Sequence, residues 1–475
     1  MVISMTSTIP VSDAQAKRRA LWRAEMIETI RLSLPIALTQ LGQVAMMTTD
    51  LAMIGRLGDA AIAAAALGQI VLFVTFVIGL GFVSAVAPLA AQAFGAREPR
   101  MVRRALRVGL WAAVLLGVPL SLVQMHGETL LLFLGQEKEA AALAQRYLDG
   151  LGWCLVPAWG YIAIRNFMSA VNRPEPALWV TLAAIPANAF FAYGLINGVF
   201  GMPQLGILGA GVATTAINTL MCVVLIWMCY AMRPFKKYQV LGKFWRFDGA
   251  LFLKLLAVGL PISASFLLEF GLFAGASLLM GWIGTEALAA HQIAIQVASI
   301  MFMVPFGISM AATVRVGQAV GRREAEEARR AGFAALILSV VFMLSMAIVV
   351  ALTREWIPLL FLSGTAGHGT LALTSLLLGM GAGFFVFDGL QTVALGALRG
   401  LNDTKVPMIY AALSFWLIGF ASAYGLAFVS GYGAPGIWIG LTLGLLVYAS
   451  LLVRRFRRLT MHGLPAGASI APAAA

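Results

Sequence analysis

The sequence predicts an all-α polytopic membrane protein, with twelve transmembrane helices arranged as two six-helix lobes in a parallel pseudo-twofold repeat. Three observations point there: composition, the side on which basic residues fall, and an internal repeat. Of 475 residues, 61% are apolar and 11% charged. Soluble domains run nearer ~45–50% apolar and ~25% charged, so most of this chain is built to sit in lipid.

Taken in order, the apolar runs place spans at 31–56, 62–92, 105–125, 143–166, 176–199, 206–231, 254–282, 287–314, 331–352, 370–398, 407–430 and 435–453. Residues 1–24 form a polar N-terminal segment, without the apolar stretch of a cleavable signal, and residues 1–20 are expected to be a disordered lead-in. The first lobe takes 25–231 and the second 254–455; a linker at 232–253, rich in Lys, Arg and aromatics, joins them, and 456–475 make a tail. Of 33 Lys and Arg residues, all but Arg56, Lys138, Arg146 and Arg354 fall on the side of the N-terminus. Basic loops stay in the cytoplasm, so both termini are expected there. The net charge of +13 therefore orients the chain and calls for no nucleic acid.

The repeat is direct. Residues 34–98 align without gaps on 260–324, an offset of 226. Gly55 meets Gly281, Gly81 meets Gly307, and Gln92-Ala93-Phe94-Gly95-Ala96-Arg97-Glu98 falls on Gln318-Ala319-Val320-Gly321-Arg322-Arg323-Glu324. A weaker echo near offset 230 pairs Asn172 with Asn402. An even number of spans per half gives both halves the same orientation, and a substrate is expected near their interface.

Several function classes lack their markers. There is no phosphate-binding loop for nucleotide hydrolysis and no segment long enough for a soluble catalytic domain. Embedded protease or esterase motifs are missing too. Cys154, Cys222 and Cys229 all lie in spans, an odd set with neither disulfide nor metal spacing.

What remains is three acids in otherwise apolar spans: Asp50, Glu269 and Asp388. An acid at the centre of a membrane helix costs roughly 2.5–3.5 kcal/mol on insertion scales, which marks it as functional. Glu269 lies 15 residues beyond Lys254 and Asp388 lies 11 residues before Arg399. At helical rise these are depths of about 22 and 16 Å in a core of about 30 Å. Two carboxylates in one low-dielectric lobe do not easily both stay ionised and unpaired, so they are expected to hold a proton, Na⁺ or a cationic substrate. No span is expected to hold a buried Lys or Arg that could neutralise them. Gln40, Gln43, Thr48 and Thr49 flank Asp50, with Asn188 and Asn218 in spans five and six. Phe384 stands one turn before Asp388, and Phe270 and Phe273 lie near Glu269; aromatic faces beside acids suit lipophilic cations. For His291, a hydrogen-bonded structural role is the stronger reading beside proton relay.

The repeated Gln-Ala-x-Gly-x-Arg endings, Leu260-Pro261 through Glu269, Ala289-Ala290-His291-Gln292, and Asp388 followed by Gly396-Ala397-Leu398-Arg399-Gly400 together resemble the multidrug and toxic compound extrusion (MATE) family. Glu269 and Asp388 match the carboxylate pair of its NorM-type branch, Asp50 the acid of span one, and Asn188 the span-five Asn. The resemblance implies a V-shaped pair of lobes in a bacterial inner membrane and export of drugs and toxic organic cations against Na⁺ or H⁺. It also implies a cation site at Glu269 and Asp388, where Na⁺ could bind; the sequence itself gives no sign of obligate oligomerisation, so a monomer without organic cofactor is expected. Two departures stand out. The aromatic before Asp388 is Phe384, which lacks the hydroxyl of the Tyr often found there. Ala192 occupies a position that is often Asp or Asn, which moves weight from the first lobe to the second. Asp50, Asn188 and Gln43 are then expected to switch the first lobe or bind substrate. The alternative is a flippase for a lipid-linked oligosaccharide, which would need basic residues in the cavity.

Overall fold

In the computed structural model, which describes residues 11–240, 242, 244–361, 368–461 and 463, helices carry the whole architecture. The first half comprises α1 (Val11–Gly55), α2 (Asp59–Ser84), α3 (Val86–Gly95), α4 (Pro99–Gln124), α5 (Gly127–Phe133), α6 (Lys138–Leu151), α7 (Leu155–Ala170), α8 (Glu175–Asn197) and α9 (Ile207–Ala231). The second comprises α10 (Gly249–Ile283), α11 (Thr285–Arg322), α12 (Ala325–Thr353), α13 (Ile357–Phe361) and α14 (His368–Gly400), then α15 (Lys405–Ala411), α16 (Ala421–Tyr424) and α17 (Ala434–Met461). Two π-helical stretches, Ala412–Phe420 and Gly425–Val429, make 405–429 one irregular rod. The element order of one half is repeated in the other.

Among the described residues, ten helices are long and apolar enough to cross a membrane. The expected spans 31–56 and 143–166 fall short of that measure. The first lies in α1, diluted by Gln40, Gln43, Thr48 and Thr49. The second is broken between α6 and α7 at Gly152–Cys154. Residues 11–24, expected as part of a polar lead-in, instead extend α1 as helix. Residues 1–10, Leu241, Lys243, 362–367 and the tail from His462, Gly463 excepted, lie outside the described residues.

The halves meet along α1, α2 and α3 against α10 and α11, and the repeat explains how. Gly81 of α2 crosses α10 at Ser263, where a Cβ would stand 2.7 Å from the Ser263 Cα. Its counterpart Gly307 of α11 crosses α1 at Ala37, where a Cβ would stand 2.8 Å from the Ala37 Cα. Ala37 and Ser263 are themselves related by the offset of 226. Backbones this close leave no room for a side chain, so the glycines define the crossings. Thr39 and Ser265, another related pair, bond back to the carbonyls of Pro35 and Pro261 at 2.7 and 2.8 Å, four residues earlier in α1 and α10 alike.

At the basic end the repeated Gln-Ala-x-Gly endings interlock reciprocally. Gln92 donates to the Gly400 carbonyl at 2.9 Å and accepts from Asn402 at 2.8 Å. Gln318 donates to the Ala170 carbonyl and to Asn172 Oδ1, both at 2.9 Å. Each glutamine thus grips the end of a helix in the other half. Arg97, Asn172, Arg323 and Asn402 close these helices with positive φ of 59–63°. The next residue's N–H then reaches back to the carbonyl five positions before, as in Glu98 to Ala93 and Glu324 to Ala319. Glu25 of α1 adds an ion pair to Arg315 of α11 at 2.8 Å. The linker's aromatics dock on the first half: Phe235 and Tyr238 pack on Phe167, and Phe244 stacks on Trp111.

Candidate functional site

Glu269 sits mid-way along α10 and Asp388 on α14, and a third residue joins them. Gln391, one turn after Asp388, donates from Nε2 to Glu269 Oε1 at 2.9 Å and to Asp388 Oδ1 at 3.2 Å. Asp388 is 5% exposed and Gln391 1%, and the Gln391 Oε1 has no partner among the described residues. Two carboxylates and a free amide oxygen make an all-oxygen donor set, suited to a hard monovalent cation or to a proton shared between acids. Both acids line a cavity of about 360 Å³ between the halves. Its walls are rings: Phe73 and Phe76 from α2, Phe266, Phe270 and Phe273 from α10, Phe384 from α14. Phe73 and Phe270 close across the halves with centroids 4.5 Å apart. Phe384 packs on Phe273, Phe385 and Trp438, which fixes its ring against the cavity wall. The lining residues include no Lys or Arg.

Asp50, 6% exposed, stands in the first half on α1. Asn188 of α8 donates to its Oδ1, and Thr214 of α9 donates to Oδ2 at 3.1 Å. The pairing with Asn188 brings together two residues that the sequence marks; Thr214 carries no such mark. Ala192, one turn along α8, is fully buried among Ile54, Tyr147 and Ala213 and offers this cluster no polar atom. Gln43 is not part of it. Gln40 and Gln43 both accept from Nη1 of Arg165 on α7, Gln43 at 3.3 Å. Thr48 and Thr49 bond their own helix backbone at Val44 and Ala45.

The expectation that no basic residue is buried in the spans is wrong. Arg165 and Arg399 are each 5% exposed. Arg165 lies over the Tyr161 ring at 5.8 Å, Arg399 over Phe266 at 4.8 Å. Both stand near the basic end of their helices, where residue counting assigns them to the rim, but helices pack over that end and enclose them. The repeat register puts Gln43 where the second half has Glu269. At this shared place one half carries an acid bridged by an amide, the other an amide bound to a built-in cation. His291 is fully buried and accepts from Trp438 Nε1 at 3.2 Å through Nδ1, away from the cavity lining.

Comparison with known proteins agrees with this architecture. The MatE family profile matches residues 35–194 and 261–424, one block in each half. A "Probable multidrug resistance protein NorM" of Rhodopseudomonas palustris is 59% identical over 470 residues, covering 98% of this chain and 99% of the relative. A protein of the same name from Bradyrhizobium diazoefficiens is 53% identical, covering 92% and 94%. Among solved structures, the eukaryotic MATE transporter AtDTX14 superposes with a TM-score of 0.82 at 21% identity over 93% of this chain and 98% of its own. The outward-facing conformation of a multidrug resistance MATE family transporter does so with a TM-score of 0.83 at 20% identity, over 93% and 97%. With a repeat matched in both halves and near-full-length relatives, the chain belongs to the MATE family of membrane transporters, in its NorM-type branch.

Proposed function

We propose that this protein is a secondary-active multidrug exporter of the bacterial inner membrane, moving lipophilic, mostly cationic compounds outward in exchange for Na⁺ or H⁺. The observation that carries the proposal is the amide-bridged pair Glu269 and Asp388 facing a ring-walled cavity between the halves. An organic cation in such a cavity meets negative charge and aromatic faces together. A coupling ion on the same carboxylates competes for that charge, so its binding weakens drug binding and drug entry favours its release. The name of the near-full-length relatives supports multidrug resistance as the setting. The polar links of Gln92 and Gln318 hold the halves together at the end taken as cytoplasmic, on one side of the cavity. Opening that side while closing the other would carry the site across the membrane, with a single chain sufficient. Asp50, held by Asn188 and Thr214, would respond to substrate or to the switch in the first half. A flippase of lipid-linked oligosaccharides would need cations in the cavity to hold pyrophosphate, and the lining has none.

The test is ethidium efflux from energised cells lacking their own exporters, with Na⁺ present or absent. Wild type should extrude the dye and Glu269→Gln should not, at equal amounts of protein in the membrane. The Na⁺ dependence of the wild type names the ion. Equal efflux by both proteins would remove the carboxylate pair from the mechanism.

A further inference from the structure

At the basic end, away from the carboxylates, three helices enclose a second cavity, of about 950 Å³. Five cations line it: Lys17 and Arg18 of α1, Arg329 and Arg330 of α12, and Arg457 of α17. Glu326 is the one acid in the lining. Elsewhere on this face Arg104, Arg315, Arg322 and Arg455 each hold a carboxylate. None of the five does so among the described residues, and Arg330 Nε is buried with no hydrogen-bond partner. Five positive charges are thus gathered from three helices around the single acid of the lining, leaving a net positive charge there. Such an arrangement is unfavourable unless an anion completes it.

The shape of the site says which anion. Trp22 and Leu21 stand beside the cations, and tryptophan is a residue type that favours the membrane–water interface. A groove of about 560 Å³ continues from the cavity, sharing Phe333, Ile337 and Arg457 with it. Leu336, Val340, Val341, Leu390 and Val453 line the groove, and Ile337 and Val341 are 43% and 57% exposed, on a face turned to lipid. A basic chamber at the membrane surface that opens into an apolar groove matches a phosphate headgroup with its acyl chain attached. A free anion would leave the groove unused, and a nucleic acid or acidic protein would not enter it. We infer that the site binds an anionic phospholipid of the inner leaflet, its phosphate held by Lys17, Arg18, Arg329, Arg330 and Arg457 and a chain lying along α12. The lipid would tie α1 of the first half to α12 and α17 of the second.

The experiment uses the full chain in detergent, offered an equimolar mixture of phosphatidylglycerol and phosphatidylcholine with matched chains, with retained lipid read by native mass spectrometry. Wild type should retain phosphatidylglycerol with a preference of about tenfold or more. Joint replacement by Arg329→Gln, Arg330→Gln and Arg457→Gln should weaken its retention on the order of 100-fold, at roughly 1 kcal/mol per cation. Lys17→Gln with Arg18→Gln, on an exposed helix extension that leaves the helix packing untouched, should weaken it about 30-fold. A control with Arg97→Gln, Arg100→Gln and Arg233→Gln removes equal charge from the same face and should bind as wild type. Glycerol phosphate, the headgroup without chains, should not displace the lipid at equal concentration. The inference is overturned if both replacements retain phosphatidylglycerol as wild type does, if the control loses it equally, or if glycerol phosphate competes as well as the lipid.

Discussion

Gln391 is the residue on which the second-half site turns. It offers its one NH2 group to two acids and leaves its own oxygen without a partner among the described residues, so it holds the carboxylates in register. A hydrogen bond to a charged group is worth roughly 1.5–3 kcal/mol. Gln391→Leu should therefore cut drug export about tenfold or more. The amount of protein in the membrane, read by immunoblot, should stay unchanged. Asp50→Asn keeps the shape that Asn188 and Thr214 surround but removes the charge. It should abolish export with a shift in thermal unfolding corresponding to less than about 1 kcal/mol; a larger loss would make Asp50 a structural residue. The acids were legible in the sequence because charge within an apolar run is costly and therefore conspicuous. Gln391 and Thr214 were not, because neutral polar residues occur in most helices of such a chain and only the fold shows which acid they face. Arg165 and Arg399 were misplaced because counting from helix ends measures depth along one helix, whereas burial depends on what packs beside it.

Elements were legible to the extent that they are uniformly apolar. The two spans that fall short do so for opposite reasons. In α1 the polar residues Gln40 and Gln43 are the partners of the buried Arg165, so a polar contact inside the fold dilutes the signal. In α6 and α7 the helix breaks at Gly152–Cys154, which shortens each piece. The helix crossings were visible as glycines repeated at a fixed offset, but the surfaces they fit were not. At Gly259 of α10 a Cβ would stand 2.6 Å from the Phe82 Cα of α2. Gly259→Val should cost about 1–3 kcal/mol or more, seen as a lowered unfolding temperature in detergent. Gly425, in the irregular rod at 405–429, has open space around it, and Gly425→Ala should leave the temperature within error. Similar losses at both positions would mean that close crossing is not what Gly259 provides.

Across the whole molecule, the repeat is both the fold and the machine. The sequence motif that marks it most strongly, Gln-Ala-x-Gly-x-Arg, was legible as a pattern without a task. In the fold it becomes two reciprocal links, Gln92 to Gly400 and Asn402, and Gln318 to Ala170 and Asn172. Symmetry then breaks at the buried charges: Glu269 is bound by Gln391 in one half, Arg165 by Gln43 in the other. Each half also buries an arginine, but Arg165 is bound by Gln40 and Gln43 whereas Arg399 lies over the Phe266 ring, so the halves differ in what holds their charges. If the links must part for the cavity to open toward the cytoplasm, Gln92→Cys and Asn402→Cys joined through disulfides by a short bis-methanethiosulfonate cross-linker should stop export. Reduction of the linkage should restore it. Undiminished export by the cross-linked protein would show that the halves need not separate there.

The most direct measurement reconstitutes the purified protein in liposomes and follows uptake of a cationic dye driven by an imposed Na⁺ or proton gradient. Wild type should accumulate dye under one of the two gradients and not without it. Protein carrying both Glu269→Gln and Asp388→Asn should accumulate none under either gradient while still folding and inserting. Gradient-driven uptake by that double variant at the wild-type rate would contradict the account.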